Sequence, residues 1–279
     1  MGSNKSWTSA FGRACGVLLQ AIVNGLALTR ISPNVLTFIG LIINTGAAIL
    51  FGFANEHNYV KMFLYAALVI IGAGIFDMVD GRVARQTDQV TVFGAFFDSV
   101  IDRYSDVVLF FGLLVFYARG NRFFYVVLAA FVMVTSLMVS YTRARAEALI
   151  GQCKVGFMER PERIVLLMIG AFTNRMAAVL WVILTLSILA VANRIYYTYL
   201  ALNGLPLPSR EGVAGAFNRA FFWTDERATL PYDLWVIAIL AFVWLTPPDW
   251  LGDPMPRVPG LIAWLSRFIA WLSQLASHN

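Results

Sequence analysis

The sequence predicts an all-α polytopic membrane protein, and three observations carry that prediction. Of the 279 residues, 59% are hydrophobic and only 13% are charged, against about 25% charged in a typical soluble domain. Apolar runs long enough to cross a bilayer alternate with short polar turns between Ser32 and Asn203. Both ends of the chain carry helical-period stretches with polar residues interspersed, the pattern of helices that lie in a headgroup region. The expected parts are an amphipathic juxtamembrane helix over residues 1–31, a six-helix membrane domain over 32–203 and an extension over 204–279.

Trp7 to Thr29 places Phe11, Val17, Leu18, Ile22 and Leu26 at helical spacing with Arg13, Asn24 and Arg30 interspersed, which gives the first interfacial helix. Met1 to Gly16 lacks the apolar core and cleavage site of a signal peptide, so it is expected to stay on the protein. Ser32 as cap and Pro33 at the first helical position open span one, Asn34 to Phe53. After the polar loop Ala54 to Tyr59, span two runs from Val60 to Ile75 and continues as helix through Asp77 and Asp80 toward Arg85. The loop Gln86 to Val90 leads into span three, Thr91 to Tyr117, and the tight turn Arg119-Gly120-Asn121 into span four, Phe123 to Ala146. A basic loop, Glu147 to Glu159, precedes the short span five, Pro161 to Phe172, and span six is Met176 to Leu202. Beyond it, Gly204 to Thr229 reads as a polar excursion with Pro206 and Pro208 as punctuation. Leu234 to Leu245 is apolar but about half a span long, with Asp233 limiting its extension. LIAWLSR from Leu261, repeated as FIAWLSQ from Phe268, reads as a second interfacial helix.

The lysines and arginines sort to one side of this arrangement. Arg82, Arg85, Arg143, Arg145, Lys154, Arg160, Arg163 and Arg194 share a side, and the other holds Lys61, Arg119, Arg122 and Arg175. The basic side is expected to face the cytoplasm of a prokaryotic inner or plasma membrane. The net charge of +5 is scattered between apolar spans, which disfavours nucleic acid and favours anionic lipid or a phosphorylated substrate. Two distant cysteines, Cys15 and Cys153, imply neither a disulfide framework nor a metal site, and the only two histidines, His57 in the outer loop and His278 at the terminus, argue against histidine catalysis.

Asp77, Asp80, Asp98 and Asp102 interrupt two of the apolar runs. An unpaired acid near mid-bilayer costs about 2.5–3.5 kcal/mol on insertion scales, so four of them require a neutralising cation. Asp77 and Asp80 are spaced i, i+3 and Asp98 and Asp102 i, i+4, so each pair shares a helix face. The short intervening loop makes the two helices antiparallel neighbours and gathers the acids at one end. Such a set suits two hard divalent cations, Mg²⁺ or Mn²⁺, of the kind that clamp phosphoryl groups. Gly81, Ala84 and Gly94 leave room beside the acids, and Arg85 adds a fork-shaped phosphate donor. The plainer alternative is helix-end acids paired with Arg82, Arg85 and Arg103, with glycines for close packing.

The string Asp77-x-x-Asp80-Gly81-x-x-Ala84-Arg85, then eight residues, then Gly94-x-x-x-Asp98-x-x-x-Asp102 resembles the complete signature of the CDP-alcohol phosphotransferase family. Pro33-Asn34-x-x-Thr37 also resembles that family's first span. The resemblance implies a six-helix fold, usually dimeric, with a cytoplasm-facing cavity. It implies that Asp77, Asp80 and Asp98 bind metal and that Asp102 binds metal or serves as catalytic base. By the same resemblance Gly81, Ala84 and Gly94 line the cytidine site, with Thr37 nearby, and Arg85 touches the diphosphate. The implied reaction is attack by an acceptor hydroxyl on the lipid-linked phosphate of CDP-diacylglycerol, releasing CMP.

Acceptor choice is expected from the cationic residues Arg143, Arg160, Arg163 and Arg194, the last inside an apolar helix where a buried guanidinium requires a partner. SYTRARAE from Ser140 and GFMERPER from Gly156 resemble the phosphatidylinositol-phosphate synthases of actinobacteria, although Arg143 stands where those carry lysine. That resemblance implies that Arg143, Arg163 and Arg194 bind the phosphate of inositol phosphate. Asp106 is read as orienting Arg103 or Asp102, and Glu147, Glu159 and Glu162 as partners of nearby arginines. Two other readings stand beside this one: a glycerol 3-phosphate enzyme making phosphatidylglycerolphosphate, and a cation transporter with intramembrane carboxylates. The transporter lacks the expected second, inverted copy of the acidic helix pair.

Overall fold

The computed structural model describes residues 32–207 and 230–253. The helix expected over residues 1–31, most of the polar excursion and the seven-residue repeat beyond Leu261 lie outside the described residues. Within them the chain is helical: α1 (Pro33–Phe53), α2 (Tyr59–Gln86), α3 (Val92–Arg119), α4 (Phe123–Ile150), α5 (Arg160–Thr173), α6 (Met176–Leu202) and α7 (Leu230–Leu245). A 3-10 turn over Pro248–Leu251 follows.

Four helices, α1, α2, α4 and α6, have the length and hydropathy of membrane spans. Their outward side chains are large and apolar: Phe38, Ile42, Phe131 and Ile188 are each about half exposed. Such surfaces are liabilities in water and ordinary in hydrocarbon, so the protein is an integral membrane protein. Only part of the six-span expectation is met by this measure. At 28 residues α3 is long enough, but Asp98, Asp102, Arg103 and Asp106 interrupt its apolar run. At 14 residues, α5 is about 21 Å long and shorter than a hydrocarbon core. Asp233 does not stop α7, which begins at Leu230 and carries Asp233 in its first turn, where the helix dipole favours an acid.

The chain divides into two compact units. One holds the part of α1 up to Gly46 together with Leu68–Ser105. Its core is Leu36 against Val79 and Val83, with Ile75 and Phe76 packed alongside. The other holds Ala47–Ala67 and the chain from Asp106 onward. In it Gly112 lets α3 meet α1 backbone to backbone, for an added Cβ would lie 2.7 Å from the Ala48 Cα. Phe51, Phe63 and Phe116 form an edge-to-face string with centroids 4.8 and 5.1 Å apart. α4 and α5 pack on α6, and α7 reaches α6 as well.

The connection from α4 to α5 is held by its own small core. Cys153 and Val155 are buried with Ala146, and Ile150 and Tyr197 pack against them. Burial pushes the Cys153 thiol above its ordinary pKa, the nearby Arg194 guanidinium partly opposing the shift, so the thiol stays protonated and inert at neutral pH. Gly156 has φ 86°, and an added Cβ would stand 3.0 Å from that of Ala190, so this bend requires glycine on both counts.

Candidate active site

The acidic stretch lies in the first unit. Asp77 comes from α2, and Asp98 and Asp102 from α3, and one carboxylate oxygen of each lies within 4.8 Å of the others. Oxygen ligands sit about 2.0–2.6 Å from a hard divalent cation, so opposing ligands stand roughly 4–5 Å apart. The trio therefore fits a divalent cation with the helices where they are, and its three like charges favour one there.

The expected fourth member, Asp80, is held differently. It is buried at 5% exposure, and Thr37 Oγ1 donates to its Oδ2 at 2.6 Å. The charges of Asp98 and Asp77 still act on it. Thr37, expected beside the nucleotide, thus ties α1 to α2 through this acid.

The small residues differ in what surrounds them. An added Cβ at Gly81 would meet only the Arg85 guanidinium, 3.6 Å from Nη1 and 3.8 Å from Nη2, so Arg85 folds its head over the glycine. Ala84 is half-buried, about one helical turn after Gly81 on α2. At Gly94 a Cβ would stand 3.0 Å from Thr91 Oγ1 and 3.4 Å from Asn34 Oδ1. Thr91 caps α3, its hydroxyl oxygen accepting from the Gly94 N–H at 2.9 Å, which orients the helix that carries Asp98 and Asp102.

The arginines lie in the second unit, and each has protein partners. Arg163 is 1% exposed; its Nη2 and Nε donate to Asp106 Oδ2, the latter at 3.2 Å, and its Nη1 to the Met158 carbonyl at 2.8 Å. Arg160 Nε stands 3.7 Å from Asp106 Oδ1. Arg194 is 2% exposed and donates to the carbonyls of Val155, at 2.9 Å, and Val139. Arg143 is about one-third exposed and bridges Glu147, at 3.0 Å, and Glu159. The partner that a buried Arg194 requires is thus supplied by main-chain carbonyls, one of them on the bent connection.

Asp106 has the structural role expected of it, with partners the sequence did not name. It is 3% exposed, and its partners are Arg163 and Arg160, not Arg103, whose Nη1 turns to Ser99 Oγ at 2.6 Å. Charge accounting was the available signal, since α5 opens with two arginines and Asp106 was the one nearby buried-run acid without a metal role. Glu147 and Glu159 do partner an arginine, Arg143, and Glu162 accepts from the Tyr232 hydroxyl at 3.3 Å.

With this geometry in hand, likeness to known proteins is informative. Residues 30–202 match the family model for CDP-alcohol phosphatidyltransferase. The phosphatidylinositol phosphate synthase of Mycobacterium tuberculosis is 36% identical over 175 residues, covering 62% of this chain and 76% of that protein. The archaetidylinositol phosphate synthase of Pyrococcus horikoshii is 34% identical over 179 residues, covering 64% of this chain and 89% of that protein. The crystal structure of the M. tuberculosis enzyme with CDP-DAG bound superposes with a TM-score of 0.59 at 28% identity, covering 68% of this chain and 98% of that one. A second crystal structure of that enzyme, in complex with manganese and citrate, gives the same TM-score of 0.59. The complete acidic signature, its clustered carboxylates and a family match across most of the described helices lead to one conclusion: the chain belongs to the CDP-alcohol phosphatidyltransferase family.

Proposed function

We propose that this protein transfers the phosphatidyl group of CDP-diacylglycerol to a hydroxyl of inositol phosphate, releasing CMP. The observation that carries the reading is the trio Asp77, Asp98 and Asp102, whose oxygens lie within 4.8 Å of one another inside the full family signature. The acceptor rests on the relatives: the bacterial and archaeal proteins named above differ in the lipid they build on and share inositol phosphate in their names.

In this reading Asp77, Asp80, Asp98 and Asp102 hold two divalent cations, Mg²⁺ or Mn²⁺. Bound there, they supply charge stabilisation for the diphosphate as it breaks. Gly81, Ala84 and Gly94 leave space for cytidine, Thr37 steadies Asp80 beside it, and Arg85 binds the diphosphate. Asp102 takes the proton of the acceptor hydroxyl. The acceptor oxygen forms a bond to the lipid-linked phosphorus while the bond from that phosphorus to the bridging oxygen breaks, and CMP departs with that oxygen. Arg143, the most open of its group, receives the acceptor phosphate, and Arg160, Arg163 and Arg194 set the positive field around it. Six spans, counting α3 and α5, would place this chemistry on the cytoplasmic side of a prokaryotic inner membrane in a homodimer. The lysine and arginine bias supports that orientation.

The test follows CMP release by purified protein given CDP-diacylglycerol and Mn²⁺ with either inositol phosphate or glycerol 3-phosphate. Release with inositol phosphate alone is expected. Preference for glycerol 3-phosphate would reassign the acceptor, and no release with either, from folded protein, would sink the transferase reading.

A further inference from the structure

α7 lies beyond the residues that match the family, and its two ends are tied to opposite ends of the compact unit that contains it. At its start the Tyr232 hydroxyl donates to Glu162 Oε1 at 3.3 Å, and the Tyr232 ring meets that of Phe157 edge-on, with centroids 5.5 Å apart. Phe157 belongs to the connection that follows α4, which Arg194 holds against α4 by donating to the carbonyls of both Val155 and Val139. Past its end the chain meets the other end of the same unit. The Thr246 carbonyl accepts from Arg175 Nη1 at 3.2 Å, in the turn between α5 and α6. The Leu251 carbonyl accepts from the hydroxyl of Tyr125, in the first turn of α4. The lengths agree: α4 rises about 21 Å from Tyr125 to Val139, and the 16 residues of α7 rise about 24 Å. α4 has the length and hydropathy of a membrane span, so a helix that covers this rise beside it lies in the same layer. A helix lying flat on a membrane surface would have both of its ends at one end of the unit. The surface of α7 fits this placement, since Val243 is fully buried while Leu234, Ile237 and Leu245 are 58%, 61% and 77% exposed, an apolar face suited to hydrocarbon. Its shortness is the kind of mismatch that a bilayer accommodates by thinning locally.

We infer that α7 is a further membrane crossing, so that the chain reaches Asp253 on the face that carries Arg119, Arg122 and Arg175, opposite to the end of the unit that carries Arg160 and Arg163. The tail that follows, with its seven-residue repeat from Leu261, is then delivered to the lipid surface of that face and kept away from Arg160 and Arg163. By the lysine and arginine bias that face is the outer one. The inference concerns the fold of one unit and stands whether or not the protein releases CMP.

The test places single cysteines in the full chain carrying Cys15→Ser, with the buried Cys153 left in place. Lys154→Cys marks the exposed connection between α4 and α5, and Trp250→Cys marks the turn after α7, where the native side chain is 81% exposed. A membrane-impermeant maleimide is applied to intact bacterial cells and to permeabilised ones. Both cysteines are expected to label after permeabilisation and only Trp250→Cys in intact cells. Labelling of both in intact cells, or of neither until permeabilisation, overturns the inference, because both sites then lie on one side. Reporters fused after Asn279 of the full chain give a second readout. Alkaline phosphatase, active only outside the cytoplasm, is expected to be active, and green fluorescent protein, fluorescent only inside, to be dark. A reporter that places the terminus on the same side as Lys154→Cys overturns the inference as well.

Discussion

The acids of α2 and α3 and the arginines of α4 to α6 are both charge clusters in a membrane protein, and the chain treats them in opposite ways. Asp77, Asp98 and Asp102 are like charges brought together, half-buried, with oxygens within 4.8 Å. Arg163 and Arg194 are nearly sealed, at 1% and 2% exposure, and take their partners from the chain itself. A cluster that concentrates one sign favours a cation among its members. A cluster already compensated holds the fold first, and whatever it does for a substrate it does from a fixed position.

Replacing an acid should then remove function while sparing the fold. Asp102→Asn is expected to lower CMP release by about 10³-fold or more, combining loss of a base and of a ligand, with a melting temperature in EDTA that is unchanged or higher because one repulsive charge is gone. Breaking the compensated cluster should do the reverse. Asp106→Ala leaves Arg163 buried and unpaired and is expected to cost about 3–5 kcal/mol in detergent unfolding. The double variant Asp106→Asn, Arg163→Gln should recover part of that loss.

Adding metal sharpens the contrast. Mn²⁺ at about a hundredfold above its Kd should stabilise the wild type by about 2.7 kcal/mol and Asp98→Asn far less, while Arg163→Gln keeps the increment. Thr37→Val removes the hydrogen bond to buried Asp80 and should destabilise by about 1–3 kcal/mol. The smallest effect on stability belongs to Arg143→Gln, whose one-third-exposed bridges to Glu147 and Glu159 carry about 1 kcal/mol or less. Its KM for inositol phosphate should nevertheless rise, which steady-state kinetics would detect.

Periodicity and capping made the helices legible. α6 runs over the expected Met176–Leu202, and α1 begins at Pro33, the expected first helical position. The acidic trio was legible because i, i+4 spacing on α3 and a short loop leave little freedom. What was hidden depends on contacts distant in sequence. Asp106 lies 57 residues from Arg163, and no local pattern pairs them. Arg194 finds the Val155 carbonyl 39 residues away, on a bend that Gly156 permits and that no propensity encodes. The bound on α7 failed for a local reason, since an acid near a helix start was read as a stop where it is a stabilising first-turn residue.

The meeting of Gly112 with Ala48 bears on how this molecule can move. With main chain against main chain there is no layer of side chains between α3 and α1 at that point, hence no rotamers to exchange and no gradual slip from one packing to another. Shear between helices works by just such exchanges. The crossing is therefore a fixed pin, and the rearrangements that admit a lipid and release a nucleotide are left to parts of the chain that still have side chains to slide on.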